Sequence, residues 1–279
     1  MKISADGREG RILKIVGVVL FAAVMLLLSG VLYFHFRKVP AVATGETFSN
    51  EDFGLDTWVS PFDADGDGVD DQTDVLQSAR DYLATNPKYE SRYYLTGYPD
   101  DEYGVCTDVV AFALRGAGYD LQALVDADIR ANHDGYADEA PDPNIDFRRV
   151  RNLLVFFQHM SGDNSGTSAG EASSRTLAGA ASSAEAGGAS SSALASAVSG
   201  NAGALACMSL SCDPQEIKSW QGGDIVIFDN HIAIVSDRRN RDGVCLILHH
   251  ANPFQLSFEE DRLSKYGEIL GHFRLIPPD

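Results

Sequence analysis

The sequence predicts an α+β domain held behind one membrane-spanning helix, and three observations carry that expectation. Apolar residues at helical spacing recur from Val75 to Leu83, from Val109 to Leu114 and in the run RRVRNLLVFFQHM. Short β-rich runs follow near the end: Gly223 to Phe228, His231 to Val235 and Val244 to Leu248. Ahead of both, Ile15 to Phe36 is apolar almost throughout and lacks Asp, Glu, Lys and Arg. Helices first and an antiparallel sheet after them make an α+β arrangement.

About 20 apolar residues suffice to cross a bilayer as a helix, so residues 15–36 are expected to span one. Lys2, Arg8, Arg11 and Lys14 precede the segment, making 1–14 a cytoplasmic tail under the positive-inside bias. The rest of the chain is then extracellular. A cleaved signal peptide is the rival reading, with Ala41-Val42-Ala43 as its small-x-small site, but the apolar run exceeds an ordinary signal core. Residues 37–57 read as a polar stalk, and 58–279 as the domain.

Within the domain, a helix runs from Val75 until Pro87 stops it, and Cys106 opens a second that Gly116 and Gly118 end. Leu121 to Ile129 predicts a third helix. After the turn Pro141-Asp142-Pro143-Asn144 comes the helix that ends near Met160. From about 161 to 206 the chain turns to Ser, Ala and Gly, without aromatic residues. Such composition cannot offset its own chain entropy, so a disordered insertion is expected there.

The chain has 279 residues, 40 acidic against 22 basic, and a formal net charge of -18. That balance argues against nucleic acid, which needs clustered Lys and Arg, and suits a domain facing water. Four cysteines in so long a chain do not make a disulfide scaffold.

Cys106 sits just before a helical pattern, so its sulfur falls at a helix N-terminus. There the free N–H groups and the macrodipole favour a thiolate and can receive an oxyanion. Alone, such a cysteine is more often structural. GDIVIF, a turn at Asp229-Asn230 and HIAIVSD describe two neighbouring strands, with His231 opening the second. Alternation puts His231, Ala233 and Val235 on one face, where an imidazole could act as base toward a thiol. The next strand runs into His249-His250-Ala251-Asn252, one of which could orient His231.

The blocks GDIVIF, HIAIVSD and a strand ending in His resemble the C-terminal half of NlpC-type cell-wall peptidases, which have a papain-like fold. More closely, GVCTDVV, GYDLQALVDADI, PDPNIDFRRVRNL, GGDIVIF, HIAIVSDRRNRDG and ILGHFRL resemble the bacterial domain of unknown function 1287. The resemblance runs from about Phe62 to Leu275, outside the Ser/Ala/Gly stretch. It implies a papain-like cysteine peptidase or amidase with Cys106 as nucleophile and His231 as base. His249 takes the third position where the family has His-Asn; the NlpC pattern His-Ala would align His250 instead. Outside a membrane, the amide polymer this implies is peptidoglycan. Tyr103, Arg148 and Arg149 are candidate substrate contacts, although an Arg run is more often a solvated helix face. A lipid acyl hydrolase of the same fold and a non-catalytic wall-binding module are the alternatives. No cofactor is expected for the chemistry.

Asp63, Asp65, Asp67, Asp71 and Asp74 fall at positions 1, 3, 5, 9 and 12 of an EF-hand-like loop, with Gly68 at position 6. With the Val69 carbonyl they predict a structural calcium site, weaker than usual because Asp74 replaces the bidentate Glu. The bland alternative is an Asp-rich turn with Asp74 capping the next helix. Cys207 and Cys212 are spaced to close a small disulfide loop, and Cys245 reads as a buried small hydrophobe.

Overall fold

The computed structural model describes residues 6–43, 45–133, 135–136, 140–162 and 205–277. The predicted Ser/Ala/Gly insertion therefore lies, from 163 to 204, outside the described residues. So do the first five residues of the predicted tail. The chain divides into two units, 1–38 and 39–279.

The first unit is the helix α1, Asp6–Phe36, which begins ahead of the expected start at Ile15. Its stretch Leu13–Tyr33 has a mean hydropathy of 2.8, long and apolar enough to cross a membrane; a signal sequence near an N-terminus passes the same test.

The second unit is a mixed domain in which helices cover one face of an antiparallel sheet. Its helices are α2 (Asp71–Ala84), α3 (Cys106–Gly116), α4 (Leu121–Ala131) and α5 (Val150–Met160). Between α2 and α3, two short strands, β1 (Lys88–Tyr89) and β2 (Tyr103–Gly104), pair in parallel. The main sheet contains β3 (Ala206–Ser209), β4 (Ile225–Phe228), β5 (His231–Arg239), β6 (Cys245–Leu248), β7 (Glu259–Glu260) and β8 (Ile269–Ile276). Its order is β3-β8-β4-β5-β6-β7, antiparallel throughout.

Strand alternation sorts the core into two layers. Ile225, Ile227, Ile232, Ile234 and Leu248 join the helices in one cluster, with Val109, Val110, Ala113, Phe156 and Phe157. Val226, Phe228, Ala233, Val235 and Ile247 pack on the other face against Trp220 and Leu263. Burying each large side chain is worth roughly 1.5–3 kcal/mol.

Two expectations change here. The predicted stalk is part of the domain: Phe48 exchanges backbone hydrogen bonds with Arg239 at 2.9 and 2.7 Å. Phe258 N–H donates to the Pro40 carbonyl at 2.9 Å, and Ala43 N–H to Glu259 at 2.7 Å. Asn50 is buried as well, accepting from Arg239 Nε at 2.6 Å and donating to Gln221 at 2.9 Å; polar composition hid this, because the partners lie far along the chain. Cys207 and Cys212 are free thiols, as are Cys106 and Cys245. Cys207 is buried on β3 with Sγ 3.5 Å from the Phe157 carbonyl oxygen, facing α5 rather than Cys212.

Candidate active site

Cys106 is the first residue of α3, after Val105 in extended conformation. The strand β2 that leads into it passes close to Tyr82: a Cβ on Gly104 would lie 2.0 Å from the Tyr82 hydroxyl, which would have to shift. Asp108 then fastens the helix start, accepting the Val105 N–H at 2.8 Å. Asp108 is itself held by Arg148, whose Nε and Nη2 donate to its two oxygens at 2.6 and 2.9 Å. Both side chains are removed from solvent. Arg148 is thus not a solvated helix residue: paired with Asp108, it braces the chain just before Cys106.

The Cys106 sulfur is buried. Burial pushes its thiol up to about 11, against the pull of backbone N–H groups from Ile232, Thr107 and Cys106 itself. The helix-terminus donors expected from sequence are present, but desolvation outweighs them, and the resting sulfur is a neutral thiol. The Ile232 contact ties the sulfur to the strand one residue from His231. The helix side of β5 is the Ile232–Ile234 face, not the Ala233–Val235 face to which alternation assigns His231. The sulfur is thus tied to the Ile232 peptide, while His231 falls by alternation on the opposite face of the strand.

His231 is buried, its ring stacked on Tyr266 with centroids 4.2 Å apart. Its Nε2 lies 2.8 Å from Nδ1 of His249, and Nε2 of His249 lies 3.2 Å from Oε2 of Glu260. No hydrogen bond joins Cys106 Sγ to His231 among the described residues, and Nδ1 of His231 has no hydrogen-bond partner there. Such contacts often tighten only when substrate is bound. His249, not His250, is the hydrogen-bond partner of His231. His250 points elsewhere, edge-on to Tyr89 and Phe258, with Nδ1 buried and unpartnered. Asn252 accepts the Phe254 N–H within its own turn.

Burial and the neighbouring His249 and His250 press His231 down to about 3; burial and His249 press His250 down to about 4. Both are neutral bases when folded. Because the unfolded imidazoles titrate near 6.5, the unfolded chain binds more protons below that pH. Their contribution is fully present above pH 6.5 and is lost as pH falls toward 4 and 3. At pH 5 the loss is on the order of 4 kcal/mol for the two together. Urea midpoints at pH 7.5 and pH 5 measure it, and His250→Gln is expected to shrink the difference by about half.

The other expected contacts are placed differently. The Tyr103 ring is covered by the Arg92 guanidinium, 3.4 Å from its centroid, and Arg149 faces Asp146 at 3.8 Å. The aromatic residues beside the site are Tyr89 and Tyr266, both part-exposed. Burial is the chief cause that raises both tyrosine hydroxyls. Neither stands in a motif, so no spacing could single them out.

In the acidic loop, carboxylate oxygens of Asp63, Asp65 and Asp67 lie within 4.8 Å of one another. Gly68 turns the loop at φ +95°. Asp71 does not join them: it is buried, accepting the Ala64 N–H at 2.8 Å and the Tyr119 hydroxyl. Asp74 Oδ2 is buried without a partner, and burial plus the neighbouring carboxylates raise Asp74 to about 6. Asp70, not Asp74, caps α2 through the Thr73 N–H. The donor set suits a hard cation at Asp63, Asp65 and Asp67.

A family model described as "Domain of unknown function (DUF1287)" matches residues 76–175 and 204–275, more than half of the chain. The matched region includes Cys106, His231, His249 and Glu260, and the acidic loop lies ahead of it. The "Uncharacterized protein YijF" of Escherichia coli (strain K12) is 29% identical over 213 residues, 72% of this chain and 80% of that protein. No solved structure matches.

Proposed function

The chain belongs to the DUF1287 family, and from the cysteine–histidine site within it we propose a membrane-anchored, extracytoplasmic cysteine amidase or peptidase. Its fold is of the papain-like, NlpC type, and its substrates are amide bonds of peptidoglycan stem peptides. One observation carries the reading: a thiol at a helix N-terminus touches the backbone beside His231, whose far nitrogen is hydrogen-bonded by His249. These groups would supply a nucleophile, a base and an orienting partner.

Substrate entry brings the Cys106 proton to Nδ1 of His231 as sulfur attacks the amide carbonyl carbon. Backbone N–H groups at the start of α3 receive the oxyanion. The C–N bond breaks, and the amine leaves with the proton from His231. Water, deprotonated by His231, then attacks the thioester, releasing the carboxylic acid and restoring the thiol. His231 is neutral at rest with a lone pair to offer, and the burial that keeps it neutral opposes its protonation until charge develops on the substrate beside it. The helix Leu13–Tyr33 stays uncleaved as the anchor, with the N-terminus cytoplasmic.

Digestion of purified peptidoglycan by the full-length protein in detergent micelles tests the reading. New amine and carboxylate ends on stem peptides are the expected products, identified by fragment mass. Release of fatty acid from vesicles with the wall left intact would favour the lipid hydrolase instead.

The acidic loop is a calcium brace in this account, not part of the chemistry. Millimolar calcium is expected to raise Tm by several degrees, and Asp65→Asn to abolish the gain. An identical shift in the variant would rule the brace out.

A further inference from the structure

We propose that Glu260 is a positioning residue that selects, through His249, the nitrogen of His231 left free to take the Cys106 proton. The inference rests on the reading of Cys106 and His231 as nucleophile and base. Its argument is one of proton counting along the chain His231–His249–Glu260.

Burial and the neighbouring charges leave both imidazoles neutral, so each ring carries one N–H. Glu260 is an ionised carboxylate: burial works to raise it, but His249, Arg262 and the Ser257 backbone outweigh that and hold it low. A carboxylate only accepts, so the proton of His249 sits on Nε2, 3.2 Å from Oε2 of Glu260. Nδ1 of His249 is then a lone pair, and the hydrogen bond at 2.8 Å obliges His231 to donate from its own Nε2. One nitrogen of His231 remains unprotonated, Nδ1, and it has no hydrogen-bond partner among the described residues. Without the carboxylate, His249 could hold its proton on Nδ1 and donate to His231, which would leave the proton of His231 on the nitrogen needed as base.

The strand geometry explains why this residue and not its neighbour has the role. β7 contains Glu259 and Glu260, paired with Leu248 and Ile247 of β6, so the two carboxylates point to opposite faces. Glu259 bonds Ser236 and pairs with Arg80 at 3.2 Å and Arg238 at 3.5 Å. Glu260 meets His249, with Arg262 at 3.6 Å behind it. The groups facing His249 are thus His231, Glu260 and the Tyr266 ring, with His250 next in the chain.

The test uses the full-length protein in detergent micelles, with nitrogen-15 in its histidines. Long-range nitrogen–proton correlations report which ring nitrogen carries hydrogen, with His231→Gln and His249→Gln assigning the signals. Nε2–H is expected for both rings in the wild type. Glu260→Ala is expected to mix the tautomers of His249 and to slow iodoacetamide labelling of Cys106 about tenfold near pH 7. Glu260→Gln, whose amide oxygen still accepts, restores both. A wild-type His249 protonated on Nδ1 overturns the proposal even if no variant folds. So does Glu260→Ala with unchanged tautomers and labelling. Neither readout requires substrate turnover, so the inference and the hydrolase reading can fail separately.

Discussion

Cys106→Ala is expected to abolish amide hydrolysis, a fall on the order of 10⁴-fold or more, while leaving the domain folded. The size follows from the role: without sulfur no thioester forms, and only the donors at the start of α3 remain to stabilise charge. The fold tolerates the change because Cys106 contributes only a small buried side chain. His231→Ala is expected to cost nearly as much, and the two together little more than either, since nucleophile and base act as one unit. Rates on peptidoglycan fragments, beside far-UV circular dichroism of each variant, check both statements. A His231→Ala protein with wild-type rates would show that another group moves the proton.

The second large effect concerns stability. Arg148→Ala strips the partner from Asp108, a carboxylate with no exposed side-chain surface. Burial raises the Asp108 pKa, and the two Arg148 hydrogen bonds and charge offset that only in part. Breaking a buried pair from one side costs about 3–5 kcal/mol, which for a domain of this size is roughly a 10 °C fall in Tm. Activity should fall as well, because Asp108 holds the Val105 N–H that starts the helix behind Cys106. Replacing both partners by neutral residues, Asp108→Asn with Arg148→Met, is expected to recover much of the stability. Thermal melts of the three proteins settle the order. Equal melting temperatures for wild type and Arg148→Ala would show that the pair does not brace the turn.

How far the sequence could be read depended on whether a residue's role left a periodic trace. The helical faces of α2, α3 and α5 and the strands β4 to β6 were readable because apolar spacing repeats at the period of the element. Cys106, His231 and His249 could be singled out as candidates because each stands at an element boundary inside a recognisable block. Arg148 was misread because adjacent arginines look alike in one dimension: its charge is answered by Asp108, far along the chain, and nothing local marks that. The 37–57 segment looked like a stalk because the partners of Pro40, Ala43, Phe48 and the Asn50 side chain lie about 170 to 220 residues along the chain. Tyr89 and Tyr266 come from β1 and from the loop before β8, and only folding brings them to the site. Glu260 needed the register of β7 on β6 before it could be told from Glu259.

The most direct measurement is the mass of the protein itself during reaction. Full-length protein mixed with peptidoglycan fragments, quenched in acid and weighed intact, is expected to contain a species heavier by one acyl fragment. Proteolysis should map the added mass to the peptide that contains Cys106, and Cys106→Ala should never acquire it. If cleavage proceeds at the wild-type rate in Cys106→Ala, or the acyl group is found on another residue, the sulfur is not the nucleophile.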